Sequence, residues 1–259
     1  MNQPERCAWL IEKLLAEKPS EYAGVKIPAA PEERKRLLRA LMNVRPPAPA
    51  AAEFLRIQDE YLQEETRLKG VVTIESLSPA EPGIYLWQGD ITRLAADAIV
   101  NAANNKLCGC FVPNHTCIDN CIHTFAGIQL RKKCGNIMRI QGYDEPTGKA
   151  KITPAYNLPC KYVLHTVGPI VQGHLTKNHE DLLRSCYISC LELAAENNLE
   201  SMTFCCISTG VFMFPNERAA EIAVDTVREY LKKETSVKKV IFNVFKDSDK
   251  EIYERLFRH

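Results

Sequence analysis

The 259-residue chain has no long hydrophobic run and no stretch that resembles a secretion signal. No segment approaches the roughly 20 consecutive apolar residues that a membrane-spanning helix requires. The first 15 residues include Glu5, Arg6, Glu12 and Lys13, and these charges interrupt the apolar core that a signal peptide needs. We therefore expect a cytoplasmic protein that does not associate with membranes.

The chain also has almost no charge surplus and no internal repeat or low-complexity segment. It carries 33 lysines and arginines against 32 aspartates and glutamates, a formal net charge of +1, and its sequence pI is about 7.5. Without a basic surplus or a long basic run, it lacks the electrostatic footprint of a nucleic-acid-binding protein. With 46% hydrophobic residues, it can form one large domain, or one domain with an extension.

Cysteine, by contrast, is abundant. The chain has 11 cysteines, an odd number, and it is too long for a small scaffold held by disulfides. Several of these residues are expected in the core, because free cysteine is among the most buried residue types. Reduced thiols and a metal site account for this composition better than disulfides do.

Three potential metal ligands fall within eight residues of the run CGCFVPNHTC at 108–117. Cys110, His115 and Cys117 offer two thiolates and one imidazole, which are donor types that tetrahedral zinc prefers. The Pro-Asn pair between them favours a turn that returns the chain toward the first cysteine. Three protein ligands with an open fourth position are typical of a catalytic zinc site.

The spacing leaves other interpretations open. Cys108 and Cys121 are near enough in sequence to supply a fourth ligand, and a site with four protein ligands would be closed and structural. The thiols could also serve only in packing. Spacing alone is equally compatible with a catalytic metal and with these alternatives.

Asp119 follows this run and has two possible roles. The pattern Thr116-x-x-Asp119 stands before apolar residues at helical spacing and resembles a capping box for a helix that begins near Cys117. A carboxylate in the first turn of a helix beside a metal could also act as a general base or orient a substrate hydroxyl. The local pattern by itself favours the cap.

Residues 1–70 are predicted to form a helical extension without a chemical motif. Amphipathic patterns predict one helix near the N terminus and a second that begins at Pro31 and ends before Pro46. A third helix is predicted from Ala51 to Leu68, with its end at Gly70. We expect these helices to pack on a second domain, residues 71–259.

Predicted strands and helices alternate after residue 71. The strands are predicted at 84–87, 98–100, 150–153, 162–167, 202–207 and 237–245, and the helices at 179–197, 217–232 and 252–256. Such alternation favours an α/β domain with a mainly parallel or mixed sheet between helices. Ligands of such domains bind outside the carboxyl ends of the strands.

Several residues near strand ends have simple structural interpretations. Gly210, in the loop 208–212, would let the backbone approach an anion, but an ordinary strand-to-helix turn is the simpler explanation. Asn216 is predicted to cap the helix that follows. Asp90 is most simply a turn former. His165 is predicted to be structural and His123 to be a hydrogen-bonded core histidine.

Four separated motifs, in their order and intervals, resemble the macrodomain family of ADP-ribose-binding proteins. They are GDIT at 89–92, DAIVNAANN at 97–105, HTVGP at 165–169 and STGVF at 208–212. The run CIDNCIH at 117–123 stands where hydrolytic macrodomains of the MacroD type have a similar run against the distal ribose. The insertion CGCFVPNHTC replaces their glycine-rich loop and resembles the zinc-dependent subfamily found mainly in microbes. The resemblance covers roughly residues 71 to 259.

The resemblance implies a three-layer α/β/α fold with a mixed sheet. It also implies that Asp90 accepts from the adenine amino group, that the 208–212 loop wraps the diphosphate, and that Asn104 lies near the distal ribose. The residues implied to bind ADP-ribose are Asp90, Ile91, Asn101, Asn104, Ser208, Thr209, Gly210, Val211 and Phe212; those implied in catalysis are Asp119 and Asn104; and the ligands of one Zn2+ are Cys110, His115 and Cys117.

The function that the resemblance implies is zinc-dependent removal of ADP-ribose from mono-ADP-ribosylated proteins. We favour zinc as a Lewis acid on a ribose oxygen, with Asp119 positioning or activating the attacking water; the alternative is a zinc-bound water as the nucleophile. A non-catalytic ADP-ribose reader with structural zinc and an O-acetyl-ADP-ribose deacetylase remain open. The subfamily also suggests, as a substrate, a lipoylated carrier protein modified by a sirtuin-type transferase.

Overall fold

The computed structural model describes residues 1–258, and this range contains eight α-helices and nine β-strands. The helices are α1 (Gln3–Ala16), α2 (Pro31–Val44), α3 (Ala52–Lys69), α4 (Ile118–Ala126), α5 (Ile128–Gln141), α6 (Lys177–Glu196), α7 (Asn216–Leu231) and α8 (Asp247–Phe257). The strands are β1 (Val72–Thr73), β2 (Pro79–Glu81), β3 (Ile84–Gln88), β4 (Leu94–Ala95), β5 (Ala98–Ala103), β6 (Ala150–Pro154), β7 (Tyr162–Val167), β8 (Ser201–Phe204) and β9 (Lys239–Val244).

Seven strands form one mixed sheet in the order β2-β3-β9-β8-β5-β7-β6. The five central strands run parallel to one another, whereas the edge strands β2 and β6 are antiparallel to β3 and β7. Helices flank the sheet, and the central strands are buried as expected for parallel strands covered on both faces. The predicted three-layer α/β architecture is therefore confirmed.

The central strand β5 is longer than its apolar run predicts. That run predicts an end at Val100, but parallel pairing with β7 continues through Asn101, opposite His165, to Ala103. The side chain of Asn101 has no solvent exposure. Asn101 therefore lies inside the core, and Asn104 is the first residue beyond the strand.

Other predicted elements are present with shifted ends. The last helix begins at Asp247 rather than at residue 252, and α5 is a separate helix after Gly127, which has φ 97°. The prediction that Asn216 caps α7 is wrong. Asn216 is the first helical residue, after Pro215, and its side chain donates to Asp249 Oδ1 at 2.6 Å.

The three N-terminal helices pack around a hydrophobic cluster of their own, as their amphipathic patterns predict. Pro31 is the first residue of α2, and Gly70, with φ 82°, ends α3. Ile128 of α5 belongs to the same cluster, and its N–H donates to Gln58 Oε1 of α3 at 3.0 Å. The extension therefore packs on the α/β part, while the division at residue 70 stays a prediction.

The state of the cysteines and the character of the helices were also predicted from the sequence. All 11 cysteines are free thiols, and six of them are buried. Within residues 1–258, no helix combines the length and the apolar character needed to cross a membrane.

Candidate functional site

The candidate site lies beyond the carboxyl ends of the parallel strands. Strand β3 leads to Asp90, β5 to Asn104, β7 to Gly168 and β8 to the 208–212 loop. Loops after parallel strands of one sheet meet along the same edge. Helix α4 follows the Cys/His loop, which we define as residues 108–117, and packs against β5.

The Cys/His loop turns back on itself, as its Pro-Asn pair predicts. Asn114 has a left-handed backbone, with φ 55°, and the His115 N–H donates to the Val112 carbonyl at 3.2 Å. The Sγ atoms of Cys110 and Cys117 and a ring nitrogen of His115 all lie within 4.8 Å of one another. The loop therefore brings the three predicted ligands together.

These positions fit a tetrahedral zinc site. Typical Zn–S and Zn–N bonds at a tetrahedral angle separate sulfur and nitrogen by about 3.5 Å, and Cys110 Sγ lies 3.6 Å from His115 Nδ1. Neither Cys108 nor Cys121 belongs to this group, so the four-ligand alternative is not supported. The Cys121 sulfur instead accepts from Arg39 at 3.5 Å.

The carboxylate of Asp119 is held by the two predicted asparagines. Its Oδ1 accepts from Asn101 Nδ2 at 2.8 Å and its Oδ2 from Asn104 Nδ2 at 3.3 Å. Burial raises the pKa of Asp119 to about 6, and the Asn101 hydrogen bond and the positive charge of Arg131 oppose that rise. The site thus contains a buried carboxylate with a fixed orientation.

The capping-box prediction for Thr116 and Asp119 is wrong. Cys117 caps α4, because its Sγ accepts the Asn120 N–H at 3.4 Å and its carbonyl accepts the Cys121 N–H at 3.0 Å. A candidate metal ligand therefore also begins the helix, at the end where the helix dipole favours negative charge. The Asp119 carboxylate does not cap the helix and instead accepts from Asn101 and Asn104.

A second group of metal-ligand side chains lies behind Asp119 and was not predicted as a group from the sequence. Its donor atoms lie within 4.8 Å of one another, and its members are the buried residues His123, Cys134 and His165. His165 contacts Thr153 Oγ1 at 2.9 Å and Asn101 Nδ2 at 3.1 Å, which confirms its structural role. His123 lies in the core as predicted, but neither ring nitrogen has a hydrogen-bond partner within residues 1–258.

Asp90 combines a turn-forming role with an outward-facing oxygen. Its Oδ1 accepts from the N–H and the hydroxyl of Thr92 at 3.0 and 2.6 Å, whereas Oδ2 lies 3.7 Å from Lys69 Nζ. That ammonium also lies 3.2 Å from the centre of the Phe125 ring. The side chain of Ile91 is buried. No motif in the sequence indicated Lys69, because it belongs to the extension.

The 208–212 loop presents a row of backbone donors. Ser208 has φ 65°, and it packs so closely on β7 that a Cβ on Gly168 would lie 2.0 Å from Ser208 Oγ. Four successive N–H groups find no acceptor within residues 1–258; they belong to Thr209, Gly210, Val211 and Phe212. Successive unpaired N–H groups at a strand end form a concavity suited to an anion.

Comparison with known proteins agrees with this arrangement. Residues 100–223 match the family model described as Macro domain. The chain is 57% identical over 260 residues to the protein-ADP-ribose hydrolase of Treponema medium, an alignment that covers 99% of each chain. It is 51% identical over 233 residues to the protein of the same name from Staphylococcus aureus strain MSSA476, covering 89% of this chain and 87% of that protein.

A solved structure gives the same result. The Trypanosoma brucei macrodomain in complex with ADP-ribose is 32% identical, with a TM-score of 0.66, and the superposition covers 84% of this chain and 94% of that one. The shared sheet and the near-complete alignments to these relatives identify the family of the chain. The chain belongs to the macrodomain family.

Proposed function

We propose that this protein is a zinc-dependent hydrolase that releases ADP-ribose from mono-ADP-ribosylated proteins. Relatives at 57% and 51% identity carry the name protein-ADP-ribose hydrolase, and a structural neighbour was solved in complex with ADP-ribose. The first of these alignments spans 99% of the chain. Both lines of support concern hydrolysis or ADP-ribose, and the zinc dependence rests on the loop itself.

The observation that carries the proposal is the link between the Cys/His loop and the buried carboxylate. Asn104 Nδ2 donates to Gly109 O in that loop at 3.2 Å and to Asp119 Oδ2 at 3.3 Å. Asp119 itself lies two residues after the ligand Cys117. A reader of ADP-ribose needs no carboxylate held in this way, whereas hydrolysis needs an oriented base at the reacting carbon.

The candidate ligands Cys110, His115 and Cys117 would hold zinc with one open position. A zinc ion bound there would supply Lewis-acid stabilisation to an oxygen of the distal ribose. The protein side chains supply orientation. The Asn104 amide forms a hydrogen bond with a ribose hydroxyl, and its Nδ2 still donates to Asp119 Oδ2.

The rest of the ligand would bind along the same sheet edge. The outer oxygen of Asp90 accepts from the adenine amino group, and the four unpaired N–H groups of the 208–212 loop donate to the diphosphate. Ile91 and Phe212 remain proposed contacts of the adenine ring and a ribose. These contacts fix the distal ribose against Asn104 and Asp119.

The reaction adds water across a glycosidic bond without oxidation or reduction. The water oxygen bonds to the anomeric carbon of the distal ribose, and the bond from that carbon to the modified side chain breaks. Asp119 takes a proton from the water and releases it again through solvent to the departing side chain, which regenerates the carboxylate. The products are free ADP-ribose and the unmodified protein.

The test is release of ADP-ribose from a mono-ADP-ribosylated protein by the purified chain as isolated, after chelation, and after zinc is restored. We expect turnover to be lost on chelation and regained with zinc, and to be abolished in Cys117→Ala and His115→Ala. Asp119→Asn should lower turnover by about 100- to 10,000-fold, with the ADP-ribose dissociation constant largely kept. Turnover that survives complete zinc removal would contradict the zinc dependence.

The alternatives predict other outcomes of the same assay. A chain that binds zinc and ADP-ribose but releases nothing would be a reader, and one that cleaves only O-acetyl-ADP-ribose would be a deacetylase.

We further propose a modified carrier protein as substrate. Faster release from a lipoylated carrier than from an unrelated modified protein would support that choice, and equal rates would count against it.

A further inference from the structure

The Cys/His loop has little regular structure to fix its own shape. It lies between β5 and α4, and its one backbone hydrogen bond within residues 108–117 joins His115 N–H to Val112 O. Yet it brings three donor atoms within 4.8 Å of one another. The restraint that holds this conformation must therefore come from neighbouring elements.

Helix α2 of the extension supplies two such contacts, one helical turn apart. Arg39 Nη2 donates to the carbonyl of His115 at 2.7 Å and to Asn120 Oδ1 at 3.0 Å. Asn43 Oδ1 accepts the Asn114 N–H at 2.9 Å. Residues at i and i+4 project from the same helix face, so α2 holds a candidate ligand and the residue before it from one side.

Asn43 and Asn120 carry these contacts into the start of α4. Asn43 Nδ2 donates to Thr124 Oγ1 at 2.9 Å, and Asn120 Nδ2 donates to the carbonyl of Val112 at 3.0 Å and to that of Cys110 at 3.4 Å. Both asparagines are almost completely buried. The α2 contacts thus reach both ends of the loop.

Arg131 of α5 joins the end of α2 to the first candidate ligand. Its Nη1 donates to the carbonyls of Asn43 and Arg45, at 2.5 and 2.7 Å, and its Nη2 donates to the carbonyl of Cys110 at 3.3 Å. The last carbonyls of a helix lack partners within the helix, and a buried guanidinium satisfies them here. A shift of α2 would therefore also disturb the backbone at Cys110.

We propose that α2 is part of the metal site, with Arg39 and Asn43 as positioning residues that hold the Cys/His loop in its ligating conformation. Neither residue contacts the ligand atoms, and both act through the loop backbone. Outer contacts of this kind typically change metal affinity by about 10- to 100-fold when removed. The extension is then required for the reaction rather than being an attached helical segment. This inference rests on the proposed zinc dependence.

The test compares Arg39→Met with a matched control on the same helix, Arg34→Met. Both arginines are half-buried, but Arg34 donates only to the carbonyls of Pro28 and Ala29 within the extension. Zinc affinity is measured by competition with a chelating dye, and the cobalt-substituted proteins are compared by their visible absorption, which reports tetrahedral geometry. Thermal midpoints of the zinc-free proteins separate loop effects from loss of stability.

We expect Arg39→Met to weaken zinc binding by about 10- to 100-fold and to alter the cobalt spectrum, with a zinc-free midpoint no lower than that of Arg34→Met. Arg34→Met should bind zinc as the wild type does. Arg39→Lys keeps the charge but reaches fewer acceptors, so it should fall at least about threefold below the wild type. If Arg39→Met does not fold, the zinc affinity of Arg39→Lys provides the test instead.

Wild-type zinc affinity and cobalt spectra in Arg39→Met, or wild-type affinity in Arg39→Lys, would overturn this inference and leave the proposed hydrolase intact. Equal losses in Arg39→Met and Arg34→Met would also overturn it, because the effect would then be general destabilisation. A wild-type protein that binds no zinc would overturn both proposals. The wild-type measurement thus tests the zinc dependence, and the comparison of variants tests the positioning role.

Discussion

Asp119 is nearly excluded from water, and hydrogen bonds from two amides partly offset the cost of burying its charge. It is 5% exposed, and burial raises its pKa to about 6. The amide groups of Asn101 and Asn104 are neutral donors that favour a carboxylate without pairing it with a full charge. Asn101 has no exposure of its own. That burial favours a role in positioning Asp119 over the direct ribose contact that the family resemblance implies.

The buried side chain of His165 should make the free energy of unfolding depend on pH. Burial lowers its pKa to about 3, against about 6.5 in an unfolded chain. Its contribution is therefore fully present above pH 6.5 and is lost as the pH falls toward 3, at about 1.4 kcal/mol per pH unit. We expect His165→Gln to reduce the slope of the unfolding free energy against pH by about that amount between pH 6 and 4, measured by urea denaturation.

An exposed histidine gives the control for this measurement. His174 lies exposed before α6, and His174→Gln controls for the replacement of a histidine by glutamine. The second buried histidine, His123, has a pKa lowered well below its ordinary value by burial, and it should retain its own share of the slope in His165→Gln. An unchanged slope in His165→Gln would show that His165 already binds its proton in the folded protein.

Residues were predictable where their chemistry lies in one short run. Cys110, His115 and Cys117 stand within eight residues, so their types and spacing reveal them. Arg39 and Lys69 carry no such signal, because they reach the site from the extension across long stretches of chain. The capping prediction for Thr116 failed because a cysteine, which is rarely considered a cap, took that role.

At the scale of elements, the 208–212 loop depends on its contact with the end of β7. Ser208 adopts φ 65°, a region that costs a non-glycine residue about 1 kcal/mol or more. Its hydroxyl is buried without a partner within residues 1–258. The close approach of Gly168 holds Ser208 in place, and the four N–H groups that follow it have no acceptor within residues 1–258.

We predict that Gly168→Ala weakens ADP-ribose binding. The new Cβ would lie 2.0 Å from Ser208 Oγ and 2.9 Å from Ile207 Cγ2, so the loop must shift. Overpacking of this kind costs about 1–3 kcal/mol. If binding must reverse that shift, the dissociation constant measured by titration calorimetry rises about 5- to 150-fold, since about 1.4 kcal/mol corresponds to a factor of ten.

Two further variants separate space from ligand contact. Ser208→Gly removes the atom that the new methyl group meets, so it should restore part of the affinity in the Gly168→Ala background. Gly210→Ala should keep the wild-type thermal midpoint, because nothing lies within 4 Å of its Cβ position and its φ is not positive. Any affinity that it loses then reports direct contact with the ligand. Unchanged affinity in Gly168→Ala would exclude a role for this packing.

Elements were largely predictable because their apolar periods are clear. The helices of the extension and most strands of the sheet appear near their predicted positions. Their ends were less predictable, because tertiary contacts decide them. Strand β5 extends to Ala103 because β7 pairs with it, and the side chain of Asn216 bonds to Asp249 of α8 instead of capping its own helix.

At the scale of the molecule, the extension and the macrodomain share buried and half-buried polar contacts as well as apolar ones. Asp59 Oδ1 of α3 accepts from Asn157 Nδ2 and from Gln129 Nε2, both at 2.7 Å. Arg131, 4% exposed, donates to the last carbonyls of α2. Separation of the two parts would exchange these hydrogen bonds for hydrogen bonds to water, and a bond of this kind contributes about 0.5–1.5 kcal/mol net to stability. The sequence predicts that the helices pack on the α/β part, but it does not indicate which polar groups form the interface.

These shared contacts predict that the whole chain unfolds in one transition. The protein has two tryptophans, Trp9 in α1 and Trp87 in β3, so Trp87→Phe and Trp9→Phe each leave one fluorescent probe in one part. In each variant, the midpoint of urea unfolding from tryptophan fluorescence should equal that from far-ultraviolet circular dichroism, since coincident probes indicate two-state behaviour. Comparison within one variant removes any effect of the substitution on stability. A Trp9 transition that precedes the loss of circular dichroism would instead show that the extension unfolds alone, and α2 could then leave the Cys/His loop while the sheet stays folded.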